Sequence, residues 1–471
     1  MKKNFEHVGE KMYLCIRNIK FRTVDFDYNI LVMKFFDRQY EINKLREVRS
    51  LSHIAAQFTV LTGRRRIGKT SLVMKAYEDE PLLYFFVTRS TESILCEEFA
   101  DELTQKLNIP LLGRVERFAD IFDYVMELSK TRPLTLMIDE FQDFGRVNGA
   151  IFSQMQKIWD KKKDGAKMNL IVCGSVYSMM TKLFRDKKEP LYGRQTEFLK
   201  IEPFTPSVLK EILGYYRPDY SKEDLLALYS YTGGVAKYVE LLVDAGATTS
   251  EKMLERIVAK NSYFIYEGKN MLIEEFGRDY GRYFDILKLI ATGHNTRGDI
   301  EGMLHAEVSG YMTRLESDYG LIAKSKPMFQ KSANKNIVYA VNDLFLQFWF
   351  RFVYKYYHFI EANAYGKLAE IVRRDYETYS GKVLERWFKE VMCESGAFTH
   401  IDSWWDRRGE NEIDIIAADD LKKEVTFYEV KRQRKELDLG VLEKKVQHFS
   451  EATGMYGKYK MACKGLCMED M

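Results

Sequence analysis

The chain has 471 residues, 72 of them Lys or Arg and 69 Asp or Glu, with a formal net charge of +3. This length predicts about three domains, and the near-neutral charge neither demands nor excludes a nucleic-acid partner. No run approaches about eighteen apolar residues, which excludes a membrane-spanning helix, and six scattered cysteines favour a reducing cytoplasm over a disulfide framework.

The first 32 residues match no element of the domains that follow. We expect either an over-extended start, with the native protein beginning near Met33, or an added strand. Met1-Lys2-Lys3 is basic, but charged residues interrupt the stretch after it, so it lacks the apolar core of a secretory signal.

A phosphate-binding loop follows an apolar, β-rich run that starts at Phe58. Its spacing is G-x-x-x-x-G-K-T. Such glycines let backbone N–H groups surround a phosphate, the lysine adds a positive charge, and the threonine hydroxyl suits Mg²⁺. The helix that begins here directs its positive end at the phosphates. We therefore predict that ATP is bound by Gly63, Arg64, Arg65, Arg66, Ile67, Gly68, Lys69, Thr70 and Ser71.

A second apolar run, residues 134–140, ends in two acids, Asp139 and Glu140. Its length and composition predict a buried parallel strand. An apolar strand that meets a solvated loop is the simpler interpretation. Because the run follows Lys69 at a distance that leaves room for a helix and a strand, we favour Asp139 as the Mg²⁺ group. Glu140 is then placed to orient or deprotonate the water that attacks the γ-phosphate.

Two polar residues further along the chain each have two interpretations. Ser175 ends a third apolar strand, where it either senses the γ-phosphate or caps a helix that starts near Tyr177. Arg194 lies in a turn-rich segment. It either stabilises transition-state charge, in its own chain or across a subunit boundary, or is a solvated side chain.

Helix-period spacing over 207–213 and 222–231, with Gly233-Gly234 between helices, predicts a helical lid. Three helices near 283–291, 296–300 and 308–315, then strands over 321–324 and 336–340, predict a winged helix. An aromatic helix over 343–353 is most simply a core element between domains, although aromatic residues among arginines can also stack bases.

The presumed reader helix suits base recognition poorly, because it contains one arginine, Arg314, offset by Glu316. The wing suits phosphate contact better. Its lysines are Lys324, Lys326, Lys331 and Lys335. A packing module that transmits the state of the ATPase to the C-terminus is an equally good interpretation.

A second group of ionisable residues lies near the C-terminus. Strand alternation puts Glu412 and Asp414 on one face of a strand, and Glu429 and Lys431 on one face of the next. Glu385 lies on a helix predicted over 381–390. Converging carboxylates suit one or two hard divalent cations, and the lysine can orient water or neutralise phosphate charge.

Four segments together resemble the prokaryotic P-loop ATPases related to the AAA+ and STAND groups. They are Phe36 to Ile42, Ile138 to Gln142, Tyr192 to Arg194 and Gly233 to Tyr238. In one branch, the archaeal-type ATPases, the ATPase is joined to a winged helix and a nuclease-like domain. The resemblance covers the chain from about Met33 onward.

This resemblance implies roles for three residues: Arg38 near the adenine and ribose, Ser175 as a sensor, and Arg194 as the arginine that responds to the nucleotide state. Ala236 departs from the family, which usually has proline there, so the fixed turn that proline gives is absent.

The C-terminal group resembles the PD-(D/E)XK nuclease core. The resemblance implies that Asp414 and Glu429 bind metal, with Lys431 as the catalytic lysine and Glu385 as the acidic helix residue. Gln447, on the following helix, would support substrate.

The predicted fold is α/β, with a P-loop parallel sheet and helical lid, then a winged helix, then a restriction-endonuclease-like α/β domain. The predicted boundaries are 1–32, 33–204, 205–278, 279–342, 343–378 (an aromatic connector) and 379–471. Two functions fit: an ATPase that controls a metal-dependent nuclease acting on DNA or RNA, or an ATP-dependent switch that binds nucleic acid or protein without cleavage. A homo-oligomer would give Arg194 a role across subunits.

Overall fold

The structure is a computed structural model, which describes residues 32–109, 113–277, 280–329, 337–406 and 409–471. The predicted N-terminal extension, apart from its last residue, and the wing residues Lys331 and Lys335 lie outside these ranges. Within them, every helix is too short or too polar to cross a membrane.

The N-terminal unit is built on a five-stranded parallel sheet. The strands are β1 (Gln57–Gly63), β2 (Leu82–Phe86), β3 (Leu134–Asp139), β4 (Met168–Gly174) and β5 (Glu197–Ile201). Their order in the sheet is β2-β3-β4-β1-β5. Strands β1, β3 and β4 are buried along almost their whole length, as expected where helices cover both faces of a parallel sheet. This confirms the predicted P-loop α/β fold.

Helices connect these strands and cover the sheet on both faces. Phe58, Val60 and Leu136 contribute to the core on one face, while Leu61 and Met137 contribute to the core on the other, as strand alternation requires. The helices of this unit are α1 (Gln39–Leu51), α2 (Lys69–Ala76), α3 (Glu92–Leu107), α4 (Phe118–Leu128), α5 (Phe144–Val147), α6 (Ala150–Lys162) and α7 (Tyr177–Arg185).

A helical segment follows β5 and returns to the phosphate loop at Gly233-Gly234. Gly234 has a left-handed φ of 71° and its carbonyl accepts a hydrogen bond from Phe204 N at 2.7 Å. A Cβ at this position would overlap the Phe204 carbonyl, so the close approach requires glycine. The helices are α8 (Pro206–Tyr216), α9 (Lys222–Thr232), α10 (Ala236–Asp244), α11 (Ser250–Val258) and α12 (Tyr263–Phe276).

The elements predicted over 283–353 are present with small shifts. The third helix is short and continues into a π-helical turn over Arg314–Asp318, and the aromatic helix likewise becomes π-helical over Trp349–Tyr354. The two strands pair antiparallel. The elements are α13 (Tyr280–Ala291), α14 (Arg297–Leu304), α15 (Ser309–Thr313), β6 (Ile322–Ser325), β7 (Val338–Val341), α16 (Leu344–Phe348) and α17 (Tyr357–Glu361).

The C-terminal unit contains a four-stranded mixed sheet. Its elements are α18 (Tyr365–Ser395), β8 (His400–Trp405), β9 (Glu412–Asp419), β10 (Glu424–Val430), α19 (Leu439–Thr453) and β11 (Lys460–Leu466). The strand order is β11-β10-β9-β8, and of the neighbouring pairs in this sheet only β10 and β11 are parallel.

The helix predicted over 381–390 is too short. It lies in the second half of α18, which has 31 residues and crosses the predicted boundary at 378/379 without a break. Its buried positions run from Leu368 to Met392, because the helix packs first on the preceding helices and then on the C-terminal sheet. The boundary therefore does not separate two independent helices.

Candidate functional site

The phosphate loop joins the carboxyl end of β1 to the start of α2. Gly68 has a φ of 92°, which glycine adopts readily, and it precedes the first helical residue, Lys69. The Lys69 ammonium donates to the carbonyls of Gly63 at 2.9 Å and Arg64 at 3.0 Å. Burial lowers the pKa of Lys69. Ile67 is buried and anchors the loop to the core.

The two side chains that the sequence predicts to bind Mg²⁺, Thr70 and Asp139, meet beside this loop. The Thr70 hydroxyl donates to Asp139 Oδ2 at 2.6 Å, and the Tyr84 hydroxyl donates to the same oxygen at 3.1 Å. Burial raises the pKa of Asp139. A hydroxyl beside a carboxylate is the donor set that Mg²⁺ takes next to ATP phosphates, so these residues fit the ion. Tyr84 was not predicted, because nothing in its own strand marks it.

Glu140 follows Asp139 in a left-handed conformation, with a φ of 51°. Its Oε2 accepts hydrogen bonds from Ser175 Oγ at 2.7 Å and from Gln142 Nε2 at 2.6 Å. The alternative that Ser175 caps the next helix is wrong, since the N-cap of α7 is Val176 and no side chain caps it. The structure therefore brings Glu140 and Ser175 together, and adds Gln142.

Two arginines of the phosphate loop point out of it and form ion pairs with buried carboxylates. Arg64 pairs with Asp343 and also donates to the Gly320 carbonyl at 3.3 Å. Arg66 Nε lies 3.2 Å from Glu267 Oε1. We predicted nucleotide contacts for these arginines. Their side chains are engaged elsewhere, which leaves their backbone N–H groups for phosphate.

The remaining predicted nucleotide residues surround the loop. Arg65 is half-buried, and Ser71 is exposed on the first turn of α2. Lys237 N, at the start of α10, donates to the Arg66 carbonyl at 3.1 Å, so the helix that follows Gly233-Gly234 contacts the loop directly. Ala236, where the resembled family has proline, is the first residue of α10.

Arg38 is buried at the N-terminus of α1. Its guanidinium donates to the Glu202 carbonyl at 2.5 Å, contacts Glu41 at 3.3 Å and lies 5.2 Å from the centre of the Phe204 ring. Phe204 is also the residue that contacts Gly234. Arg38 therefore links α1 to the segment after β5, and its role at the nucleotide base stays a prediction.

Arg194 lies near the amino ends of the parallel strands, whereas the phosphate loop lies at their carboxyl ends. Its guanidinium pairs with Asp160 at 3.0 Å. Thr196 N donates to the Phe58 carbonyl, near the start of β1, whereas the loop begins at Gly63, roughly 16 Å further along at 3.3 Å per residue. Arg194 is therefore not brought to the phosphate site of its own chain. The role across a subunit boundary stays a prediction.

In the C-terminal unit, Glu385 of α18 meets Glu412 and Asp414 of β9. Carboxylate oxygens of the three residues lie within 4.8 Å of one another. Burial raises the pKa of Glu385 to about 7, and the Asp414 and Glu412 carboxylates add to this shift. Burial also raises the pKa of Asp414, whose Oδ2 accepts a hydrogen bond from Val430 N at 2.7 Å. Lys382 Nζ lies 3.1 Å from both Glu385 Oε1 and Glu412 Oε1, so an ammonium group balances part of this charge. Three close carboxylates are also a donor set that hard divalent cations take.

Glu429 is held by two lysines instead. Lys431 Nζ lies 2.8 Å from its Oε1, and Lys445 Nζ lies 2.8 Å from its Oε2. Burial alone would raise the pKa of Glu429, but hydrogen bonds from Lys431 and Lys445 outweigh it and lower that pKa. Asp414 thus lies in one cluster with Glu385 and Glu412, while Glu429 forms ion pairs with two lysines. The role of Glu429 as a metal ligand stays a prediction.

Gln447 does not contact this group. It is exposed and donates to Glu451 within α19. The residue of α19 that does contact a predicted site residue is Lys445, which was not predicted and which pairs with Glu429. Helix spacing could have indicated that Lys445 faces the domain interior. It lies three residues after Leu442 and four before Phe449, which are both buried in α19.

The sheet and the phosphate loop define a P-loop NTPase fold, with Thr70 and Asp139 hydrogen-bonded beside the loop. In agreement, residues 35–242 match the model of a family described as an ATPase domain predominantly from Archaea. Residues 349–446 match a second family, described as archaeal and bacterial proteins of unknown function. Residues 35–242 are thus similar to an archaeal ATPase domain, and residues 349–446 to a family of unknown function.

The chain has two further similarities to known proteins. The chain is 29% identical over 438 residues, 90% of its length, to the uncharacterized protein MJECL04 of Methanocaldococcus jannaschii, of which 94% is covered. It resembles the structure of a Walker-type ATPase of Pyrococcus abyssi with a TM-score of 0.54 and 20% identity, covering 69% of this chain and 99% of that one. This second similarity concerns the fold.

Proposed function

We propose that the chain hydrolyses ATP and uses the nucleotide state to control a metal-dependent, nuclease-like site directed at DNA or RNA. The observation that carries the C-terminal part of this proposal is the convergence of Glu385, Glu412 and Asp414 beside the Glu429–Lys431 pair. The ATPase part rests on the phosphate loop, the Thr70–Asp139 pair and Glu140.

At the ATPase site, Lys69 and the backbone N–H groups of 63–69 would bind the β- and γ-phosphates, and Thr70 and Asp139 would hold Mg²⁺. When bound, the ion neutralises charge on the phosphates. Glu140 orients the attacking water and accepts its proton. Ser175, which donates to Glu140, connects that carboxylate to the end of β4.

At the C-terminal site, Glu385, Glu412 and Asp414 would hold a divalent cation, which supplies Lewis-acid activation of the scissile phosphate. Lys431 is placed by its ion pair with Glu429 to orient water or to neutralise developing charge. Glu429 itself is kept ionised by Lys431 and Lys445. This arrangement suits hydrolysis of a phosphodiester.

Two sets of contacts support coupling between the sites. The phosphate-loop arginines reach Asp343, at the start of α16, and Glu267, on α12, so the loop is bound to both the lid and the connector. Both carboxylates are buried, and removing the partner of a buried carboxylate is costly. We therefore expect a change in loop conformation to affect these helices.

The second set of contacts joins the lid to the C-terminal site. Arg432, which follows Lys431, pairs with Glu223 of α9 at 2.5 Å and donates to Ser380 of α18. Helix α9 has Glu223 near one end and Gly233 at the other, beside the phosphate-loop contacts. It therefore connects the two sites through one rigid element.

The alternative function is a switch that binds nucleic acid or protein without cleavage. One observation favours it: the β6–β7 hairpin packs on the C-terminal unit, where Met328 N donates to the Ser403 carbonyl at 3.1 Å, and Met328 enters that unit's core. We interpret residues 279–342 as a winged helix that serves this transmitting role, with the exposed Lys324 and Lys326 left for phosphate contact.

The test is a cleavage assay with end-labelled DNA and RNA, Mg²⁺ or Mn²⁺, and ATP present or absent. We expect cleavage that is lost in Asp414→Asn and unchanged in Glu424→Gln, a matched control in which an exposed acid is replaced on the neighbouring strand β10. Glu223→Gln should keep cleavage but reduce its response to ATP. Binding without cleavage by the unmodified protein under all conditions would support the switch instead.

A further inference from the structure

The side chain of Gln142 lies against the carboxylate of Glu140 and is almost completely buried, with 2% of its surface exposed. Its Nε2 donates to Glu140 Oε2 at 2.6 Å, beside the hydrogen bond from Ser175 Oγ to the same oxygen at 2.7 Å. Two neutral donors therefore hold one oxygen of the carboxylate. Across the described part of the chain, no hydrogen bond to the other oxygen, Oε1, is found.

The other end of the Gln142 amide makes no hydrogen bond. Among the described residues its Oε1 has no partner, although it is buried. Rotating the amide would give Oε1 a neighbour, but that neighbour is the Glu140 carboxylate, which only accepts hydrogen bonds. A buried acceptor without a donor lowers stability, so an apolar side chain of the same length would fit the fold at least as well.

The surrounding backbone is also arranged to admit this side chain. Glu140 adopts the left-handed region, with a φ of 51°, which is unfavourable for a residue with a Cβ. Gly174, at the end of β4, lies so close that a Cβ there would overlap Gln142 Oε1 and Met180. Strain and an unpaired acceptor at the same point indicate a functional role more than a packing role.

We propose that Gln142 is a positioning residue for ATP hydrolysis. Together with Ser175 it holds Glu140 Oε2, so that Oε1 is the oxygen that accepts the proton of the attacking water. The carboxylate is thereby fixed before ATP binds. This inference rests on the proposed role of Glu140 in hydrolysis, and the experiment below tests the two separately.

The test replaces Gln142 by Met, which keeps the length of the side chain and removes both the donor and the unpaired acceptor. We expect kcat for ATP hydrolysis to fall about 10- to 100-fold, as for a misplaced catalytic group. KM for ATP should stay within about twofold, since Gln142 contacts no predicted nucleotide-binding residue, and the midpoint of thermal unfolding should stay the same or rise.

A kcat at the wild-type value would overturn the proposal, as would a parallel loss of kcat, ATP affinity and thermal stability, which marks a structural role. If Gln142→Met does not fold, Gln142→Glu has the original shape and places a second carboxylate against Glu140, so the same loss of kcat with unchanged KM is expected.

Glu140→Gln separates this inference from the function on which it rests. If Glu140→Gln hydrolyses ATP at the wild-type rate, the role of Glu140 is wrong. If Glu140→Gln keeps only slow hydrolysis, adding Gln142→Met should cause no further loss of kcat, because the two residues act through one group. A further loss of comparable size in the double variant would show that Gln142 acts independently of Glu140.

Discussion

Arg64 of the phosphate loop forms an ion pair with Asp343, which lies 279 residues later in the chain. Asp343 uses both carboxylate oxygens: Oδ2 pairs with Arg64, while Oδ1 accepts from Leu346 N and caps α16. The nucleotide site and the start of the connector therefore share one buried carboxylate.

Asp343→Asn should lower the free energy of unfolding by about 2 to 4 kcal/mol, because the cap is kept and Arg64 loses its partner in a largely buried site. Arg64→Met should cost a similar amount. The double variant should lose less stability than the sum of the two single variants, which urea unfolding would measure as a double-mutant cycle.

For comparison, Glu78→Gln breaks the exposed Lys75–Glu78 pair and should change stability by less than about 0.5 kcal/mol. Strict additivity for Arg64 and Asp343 would contradict the coupling.

Lys69→Ala should abolish ATP binding or turnover, since it removes the charge at the β- and γ-phosphates.

Glu140→Gln should still bind ATP, but its rate of hydrolysis should fall by at least about 100-fold, because the amide does not accept the proton of water. Binding of a fluorescent ATP analogue and release of phosphate would check both. Wild-type turnover in Glu140→Gln would disprove the assignment of the water-positioning residue.

Glu385 gives the metal-free protein a pH-dependent stability. Its pKa is raised from 4.5 to about 7 in the folded protein, so the unfolded chain loses this proton at lower pH than the folded one. Its contribution is fully present below pH about 4.5, declines as pH rises to about 7, and is then constant. At 1.36 kcal/mol per pKa unit, the total is about 3 kcal/mol.

Urea unfolding in EDTA at pH 5 to 8 would measure this effect. Between pH 5 and pH 8, the wild-type protein should lose more stability than Glu385→Gln, which has no group to titrate. Parallel stability curves for the two proteins would show that Glu385 ionises normally in the folded state.

Lys445 and Gln447 offer a matched pair of substitutions on one helix. Lys445→Met should lower stability at neutral pH by about 1 to 3 kcal/mol, because Glu429 then keeps a buried charge with one lysine fewer. Gln447→Met changes an exposed residue and should alter stability by less than about 0.5 kcal/mol. Thermal or urea unfolding distinguishes them, and equal effects would contradict the structure of this site.

The parts of the fold that could be predicted are those with a local sequence signature. The phosphate loop, the strands that end at Asp139 and Ser175, and Gly233-Gly234 each depend on spacing within a few residues. The contacts that complete the sites could not be predicted in this way. Tyr84 and Asp343 come from distant segments, and Gln142 belongs to a recognised motif without any sign of what its side chain contacts.

Arg194 and the pairing of Glu429 show the limits in another way. The sequence of a turn-rich segment does not reveal at which end of the strands it lies. Only the register of β5 on β1 places Arg194 far from the phosphate loop. Alternation correctly puts Glu429 and Lys431 on one face, but a lysine from α19 decides that Glu429 is an ion-pair partner.

The uninterrupted helix α18 has a practical consequence for separating the two halves of the molecule. At 1.5 Å per residue, its 31 residues span about 46 Å, and Glu385 lies on the same helix as residues buried against the lid. A fragment that begins at residue 379 would start in the middle of this helix and remove the lid from Tyr379, which is buried in the intact chain and whose hydroxyl donates to the Ser230 carbonyl of α9. The two chemistries should therefore be dissected by point substitution in the full-length protein, or with fragments that begin before Tyr365.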